Sequence, residues 1–191
     1  MAYTPTRHQI GVAPIQGTGS IDAGVTTAQS TSDTSITTTI PTPPAYPGMI
    51  VTATDPTYGE GEFILLKGVA SNIVGAVVTY NATTFATTLI AATANQSVPV
   101  AVSMSANTTT TSWSWYQIEG LAVVKKTAVK ADPAVNGKRV YISATAGRIM
   151  QTSTAGQAIL GMGRANLTTV TSTTSTVICS LNRPHCQGPI T

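Results

Sequence analysis

Cysteine and histidine are the residue types in this chain best suited to metal binding or nucleophilic catalysis, and both are scarce. The sequence has two cysteines, Cys179 and Cys186, and two histidines, His8 and His185. Three of these four lie close together near residue 180, but a structural zinc site needs four ligands, usually at regular spacing. Because thiols stay reduced in the cytoplasm, we predict two free cysteines, no metal site and no cofactor.

Carboxylates could serve as general acids and bases or bind calcium, and three of the seven fall in residues 55–62. A calcium-binding EF-hand loop needs oxygens at alternating positions over twelve residues, which this segment does not supply. Asp55-Pro56 followed by Gly59-Glu60-Gly61 is instead typical of a turn between strands. With so few groups that could converge on a substrate, we predict no catalytic residues and a protein that is not an enzyme.

Aromatic residues are concentrated at Trp113, Trp115 and Tyr116. Such a group could stack on a glycan or form a hot spot for a protein partner. Successive residues of a strand point to opposite faces, so Trp115 and Tyr116 should separate. We expect one of the two in the core and the other at a packing or interface position.

Charged residues make up 9% of the chain, against roughly 25% in a typical globular protein. The densest basic segment runs from Lys125 to Arg139, and no aromatic residue interleaves it, so we predict no direct contact with nucleic acid. No stretch approaches 18 apolar residues, which predicts no membrane partner. The first residues lack the apolar part of a secretory signal, so we expect synthesis in the cytoplasm.

These side chains must be positioned by strands, because the composition is rich in β-branched residues, including 35 threonines. After residue 47, short apolar runs alternate with Gly, Asn and Thr clusters, the pattern of a small β-barrel or sandwich of about 8–10 short strands.

Val98, Val100, Val102 and Met104 recur with period two and predict one buried face. Gly120 predicts a β-bulge, and Asn136-Gly137 predicts a hairpin turn. The predicted strands are 49–54, 62–67, 76–80, 88–92, 98–104, 115–126, 138–143, 147–151, 158–164 and 176–181.

Residues 1–47 differ from the rest in being rich in Thr, Ser, Gly and Pro. The tract from Thr26 to Thr39 has too few apolar residues to fold a core of its own. We therefore predict two parts, an extended N-terminal arm at 1–47 and a β-barrel-like domain at 48–191.

Two groups of segments in the second part carry a resemblance to known proteins. They are 55–70, 75–80, 100–104 and 115–125, and a closing half at 140–142, 147–149, 159–165 and 177–181. These segments resemble virion structural proteins of tailed bacteriophages. Together these segments are similar to the head decoration, or capsid cement, family. They cover roughly residues 48 to 183. The resemblance lies in the succession of short strands and glycine turns, and no single motif in it is diagnostic.

The resemblance implies a compact β-barrel-like domain on the outside of a capsid, often as a homotrimer, that clamps neighbouring major capsid protein subunits. Proteins of this family are commonly shorter at the N-terminus, so the arm departs from the pattern. We expect the arm to dock on the shell or a sister subunit. The candidate capsid or subunit contacts are Arg7, His8, Gln9, Ile10, Trp113 and Trp115.

Two other functions are compatible with the sequence. A head-fibre or tail module that binds a host receptor or glycan would use Trp113, Trp115 and Tyr116 for stacking. A Thr-rich ice-binding or adhesin-like repeat protein would need regular Thr spacing, and the threonines here follow no constant period.

Overall fold

The structure, a computed structural model, describes residues 4–5, 47–106, 110–127, 138–165 and 174–189. Every regular element in these ranges is a β-strand, which confirms the all-β prediction. The strands are β1 Thr4–Pro5, β2 Ile50–Asp55, β3 Gly59–Lys67, β4 Val77–Tyr80, β5 Thr87–Leu89, β6 Val100–Ser103, β7 Trp113–Lys125, β8 Lys138–Ile142, β9 Ile149–Met150, β10 Ala158–Arg164 and β11 Thr176–Cys186.

Each of the ten predicted strands corresponds to one of β2 to β11, and the largest difference is at the end of β11. This strand continues to Cys186, five residues past its predicted end, although Pro184 would normally stop it. A register shift opposite Gly161, where Arg183 has a φ of 42°, absorbs the proline in a bulge. The predicted Asn136-Gly137 turn lies outside the described residues.

The sheet curls into a half-barrel in which neighbouring strands run antiparallel, in the order β1-β2-β3-β7-β11-β10-β8-β9. The long strand β7 is its centre: its first half pairs with β3 and β6, and its second half pairs with β11. β4 pairs with β6 and β5 with β4. Two isolated bridges, Lys126 to Ile149 and Pro99 to His185, join parts of the sheet that are far apart in its strand order.

Three apolar clusters fill the domain. The barrel cluster lies within the curl of the sheet and consists of Val77, Ile90, Val100, Val102, Ala122, Val124, Val140, Ile142, Ile149, Ile159, Met162, Val177, Cys179, Leu181 and Cys186. The inner cluster lies between β3 and β7 on one side and β4 to β6 on the other, and it consists of Ile64, Leu66, Val78, Ala101, Tyr116 and Ile118. A third, the tryptophan cluster, consists of Val51, Ala53, Phe63, Leu65, Met104, Trp113 and Trp115. On β6 the predicted alternation holds, since Val100 and Val102 join the barrel cluster and Ala101 the inner cluster. Both faces of this strand are therefore buried, rather than the one predicted.

The sequence predicts a bulge at Gly120, and the register shift in the middle of β7 lies two residues earlier, at Ile118. Glu62 and Phe63 of β3 pair with Glu119 and Gln117, so Ile118 is an extra residue, and Gly120 has a φ of 92°. The amide of Gln117 donates hydrogen bonds to the carbonyls of Glu119 and Leu121, both at 3.0 Å. These bonds satisfy carbonyls where the strand ladder is irregular.

Candidate functional site

The aromatic group does not form a surface. Trp113, Trp115 and Tyr116 are 6%, 2% and 0% exposed. Trp115 and Tyr116 do point to opposite faces of β7, but each face is core, one in the tryptophan cluster and the other in the inner cluster. The expectation that only one of them is core is wrong. The rings offer no open face for stacking on a sugar, and Trp113 and Trp115 offer little area to a capsid.

The arm residues Arg7, His8, Gln9 and Ile10 lie outside the described part of the chain, so their contact with a capsid or sister subunit stays a prediction. Of the arm, the structure describes Thr4, Pro5 and Pro47, and Thr4 and Pro5 pair with Thr54 and Ala53 of β2. The sequence did not predict this strand. It is compatible with proline because an edge strand needs fewer N–H donors than a central one.

The two cysteines are both free and both buried, as β11 turns them into the barrel cluster. Burial raises the pKa of Cys179 to about 12 and that of Cys186 to about 11. Because the thiolate is the nucleophilic and metal-binding form, these thiols are poorly suited to either chemistry. His185 is exposed, and the described residues contain no group of three His, Cys, Asp or Glu side chains that could hold a metal.

Three of the four described acidic residues, Asp55, Glu62 and Glu119, have structural partners. Asp55 is 4% exposed and accepts hydrogen bonds from the backbone N–H groups of Thr57 at 2.7 Å and Tyr58 at 2.9 Å, which forms the predicted turn. Glu62 and Glu119 lie opposite each other on β3 and β7, and the Arg183 guanidinium lies 2.5 Å and 3.8 Å from their carboxylates. This ion pair is exposed and of low energetic value.

The most distinctive surface feature is the loop between β3 and β4. Ile73 and Val74 are 42% and 49% exposed, and they are the exposed large apolar residues of the described ranges. Single exposed aliphatic residues are ordinary, but two adjacent ones on a held loop favour a protein contact. We refer to Ile73 and Val74 as the apolar pair.

A buried asparagine holds this loop from below. Asn72 is 0% exposed, and its amide nitrogen donates to the hydroxyl oxygens of Ser103 at 2.7 Å and Tyr116 at 3.2 Å, with the Ser105 carbonyl at 3.5 Å. The pKa of Tyr116 is raised by burial, so its hydroxyl remains protonated. The residue next to the apolar pair is therefore fixed to both β6 and β7.

The backbone holds the other end of the loop. The N–H of Gly75 donates to Ser103 and its carbonyl accepts from the N–H of Lys125, both at 2.8 Å. Gly75 has a φ of 79°, and a Cβ there would lie 2.8 Å from the Val123 carbonyl oxygen, so this position requires glycine. The apolar pair is thus presented on a preorganised loop, which lowers the entropy cost of binding.

One lysine lies beside the loop that carries the apolar pair. The Lys125 side chain packs beside Gly75, the residue that follows Val74. The described carboxylates, Asp55, Glu60, Glu62 and Glu119, belong to β2, β3 and the middle of β7. We call Ile73, Val74 and Lys125 the loop surface, which is apolar at its tip and has a lysine beside it.

The basic segment noted in the sequence is divided by the fold. Lys126 is 1% exposed, and burial, together with the nearby Arg164 charge, lowers its pKa. Lys138 and Arg139 are exposed on β8, which is separated from β7 by β11 and β10. The sequence analysis did not select the apolar pair, although one signal was present: Ile73-Val74 is too short for a strand and lies between Ser71-Asn72 and Gly75, all turn formers.

In the ranges that the structure describes, no helix is long and apolar enough to span a membrane. Comparisons with protein-family models, with curated proteins and with solved structures found no match to this chain.

Proposed function

We propose that this protein is a tailed-bacteriophage virion structural protein that binds the outer surface of the capsid. There it stabilises contacts between neighbouring major capsid protein subunits. Its sequence resembles the capsid cement family over residues 48 to 183. The part of the protein that attaches is the loop surface.

The observation that carries the proposal is the rigid, exposed apolar pair. Ile73 and Val74 stand on a loop fixed by Asn72 and Gly75, so they can enter an apolar pocket with little loss of flexibility. Burial of each side chain in such a pocket contributes at most about 1.5–3 kcal/mol to the free energy of binding. One such contact is weak, and a capsid protein overcomes this by multivalent attachment.

The resemblance to the cement family also implies a homotrimer, which multivalent attachment would favour. Three linked copies convert the second and third contacts into intramolecular events, which raises the overall affinity by orders of magnitude. A chain of 19.6 kDa also gains stability from association. We expect light scattering to give a mass three times that of the chain.

The experiment is co-sedimentation of the purified protein with phage heads that lack decoration. Wild-type protein should bind saturably, and the double variant I73S/V74S should bind at least tenfold more weakly. The matched control is A91S/A92S, because Ala91 and Ala92 are also adjacent, exposed and apolar but lie after β5. It should bind like wild type.

Two results would contradict the proposal. If wild-type protein does not bind heads at all, the protein is not a cement protein. If it binds and I73S/V74S binds equally well, attachment does not use the loop surface. Far-UV circular dichroism of both double variants separates these outcomes from a loss of fold, and exposed substitutions are expected to change stability by about 0.5 kcal/mol or less.

A further inference from the structure

A group of buried polar side chains lies beneath the loop that carries the apolar pair. It consists of Asn72 on the loop, Ser103 at the end of β6, Ser105 just after that strand, and Tyr116 on β7. All four residues are between 0% and 3% exposed. Because buried polar atoms are nearly always hydrogen-bonded, each oxygen and nitrogen of this group needs a partner.

The hydroxyl of Ser103 fixes the orientation of the Asn72 amide. This hydroxyl has one proton, which it donates to the Ser105 carbonyl at 2.8 Å. Towards the Asn72 amide, 2.7 Å away, it can therefore only accept, so the amide atom on that side is the nitrogen. A rotated amide would place its oxygen against another acceptor. The amide oxygen, Oδ1, therefore points to a different side of the group.

Two oxygen atoms of this group have no hydrogen-bond partner among the atoms of the described residues. They are Oδ1 of Asn72 and the hydroxyl oxygen, Oγ, of Ser105. The two residues adjoin, because the Ser105 carbonyl lies 3.5 Å from the Asn72 amide nitrogen. Oδ1 can only accept a hydrogen bond, whereas the hydroxyl can donate or accept one. A ligand that joins them must therefore carry at least one donor and be very small.

Water fits these requirements better than an ion does. The side chains of the group are uncharged amide and hydroxyl groups, so they would not neutralise an ion in a site that is closed to solvent. A water molecule can donate to Oδ1 and exchange a second hydrogen bond with the serine hydroxyl. Buried waters typically make two to four hydrogen bonds of this kind to polar groups that otherwise have no partner.

We propose that an ordered water molecule is bound beneath this loop, where it donates to Asn72 Oδ1 and shares a hydrogen bond with Ser105 Oγ. The water ties the loop to the segment after β6, in addition to the direct bonds from the amide nitrogen to Ser103 and Tyr116. Because the surrounding residues are closed to solvent, the water leaves only when the loop opens, and its residence time measures that opening. The proposal does not depend on capsid binding.

A crystal structure of the full-length wild-type protein, at a resolution that shows single waters, tests the position of the bound water. We expect one water oxygen within hydrogen-bond distance of both Asn72 Oδ1 and Ser105 Oγ. A structure with no water there, or with a water that contacts only one of the two atoms, would overturn the proposal. An amide that is rotated so that Oδ1 faces Ser103 would overturn it as well.

Oxygen-17 relaxation dispersion of the solvent tests the same site in solution, because it detects waters that stay bound for longer than the protein takes to tumble. In S105A the water loses one of its partners, so we expect its residence time to fall by about threefold or more. The matched control is S143A. Ser143 is also a buried serine, but its hydroxyl accepts from the Thr145 N–H at 3.0 Å, and this variant should leave the dispersion unchanged. A dispersion in S105A that equals the wild-type dispersion would contradict the assigned site.

Discussion

Gly120 lies where β7 changes partners, and the substitution G120A should be among the most damaging single-methyl changes in this protein. Its backbone has a φ of 92°, in a region that side chains disfavour. A Cβ there would lie 2.5 Å from the Glu60 carbonyl oxygen and 3.0 Å from the Gly61 Cα. Both contacts are with backbone of a paired strand, which cannot move aside without breaking the β2–β3 hairpin register.

Two costs add at this position. Placing alanine at a positive φ costs roughly 1–2 kcal/mol. Forcing a methyl group against fixed neighbours costs roughly 1–3 kcal/mol more. We therefore expect G120A to lower the free energy of unfolding by about 2–5 kcal/mol, a large part of the 5–15 kcal/mol typical of a domain.

A second glycine isolates the steric cost. Gly59 also has a positive φ, 77°, but a Cβ there would meet nothing within 4 Å. G59A should therefore lose only about 1–2 kcal/mol. Urea unfolding followed by tryptophan fluorescence and far-UV circular dichroism measures both variants. If G120A is no less stable than G59A, the close approach of β3 to Gly120 does not limit this position, and the reasoning about the bulge is wrong.

Three further predictions concern other described contacts. N72A should lower the free energy of unfolding by about 1–3 kcal/mol, because it removes the hydrogen-bond donor to Ser103 and Tyr116. Hydrogen exchange at the Gly75 amide should accelerate in this variant, and unchanged exchange would refute the role of Asn72 in holding the loop. Burial raises the pKa of Cys179 from near 9 to about 12, so the unfolded chain releases the thiol proton at lower pH than the folded protein does, and the free energy of unfolding should fall as pH rises from about 9 to 12. The urea midpoint of C179A should fall less steeply over that range than the wild-type midpoint. Equal slopes for the two proteins would contradict this prediction. R183A should lower the free energy of unfolding by less than about 1 kcal/mol, and this loss should disappear at high salt. A larger loss that does not depend on salt would show that the pair with Glu62 is not simply a surface ion pair.

Strand positions were predictable because the local signals were strong. Threonine and valine runs bounded by glycine and asparagine identified ten strands, and Gly120 indicated the bulge at Ile118 to within two residues, because in both cases the backbone requirement is local. The end of β11 was missed because Pro184 is tolerated only through a bulge that Gly161 on another strand makes possible. The β1 pairing joins residues about 50 positions apart, and a two-residue strand ending in proline carries no periodic signal.

The candidate site was less predictable than the fold. Trp113, Trp115 and Tyr116 attracted attention by residue type, but whether an aromatic side chain is core or surface depends on which layers cover its strand. Sequence alone did not reveal that β7 is covered on both faces. Exposure of Ile73 and Val74 likewise depends on the anchoring of Asn72 beneath β6 and β7, which are 28 or more positions further along the chain.

The way the sheet edges are occupied has a consequence for behaviour at high local concentration. β1 pairs with the outer side of β2 at Ala53 and Thr54, and the bridge between Lys126 and Ile149 occupies part of β9. In the described part of the chain β5 is an edge strand, and it is three residues long. Unpaired edges are templates for growth of intermolecular sheets, and short or occupied edges suppress that growth. Many copies of this threonine-rich chain could therefore be crowded together without forming fibrils, even though its composition strongly favours β-structure.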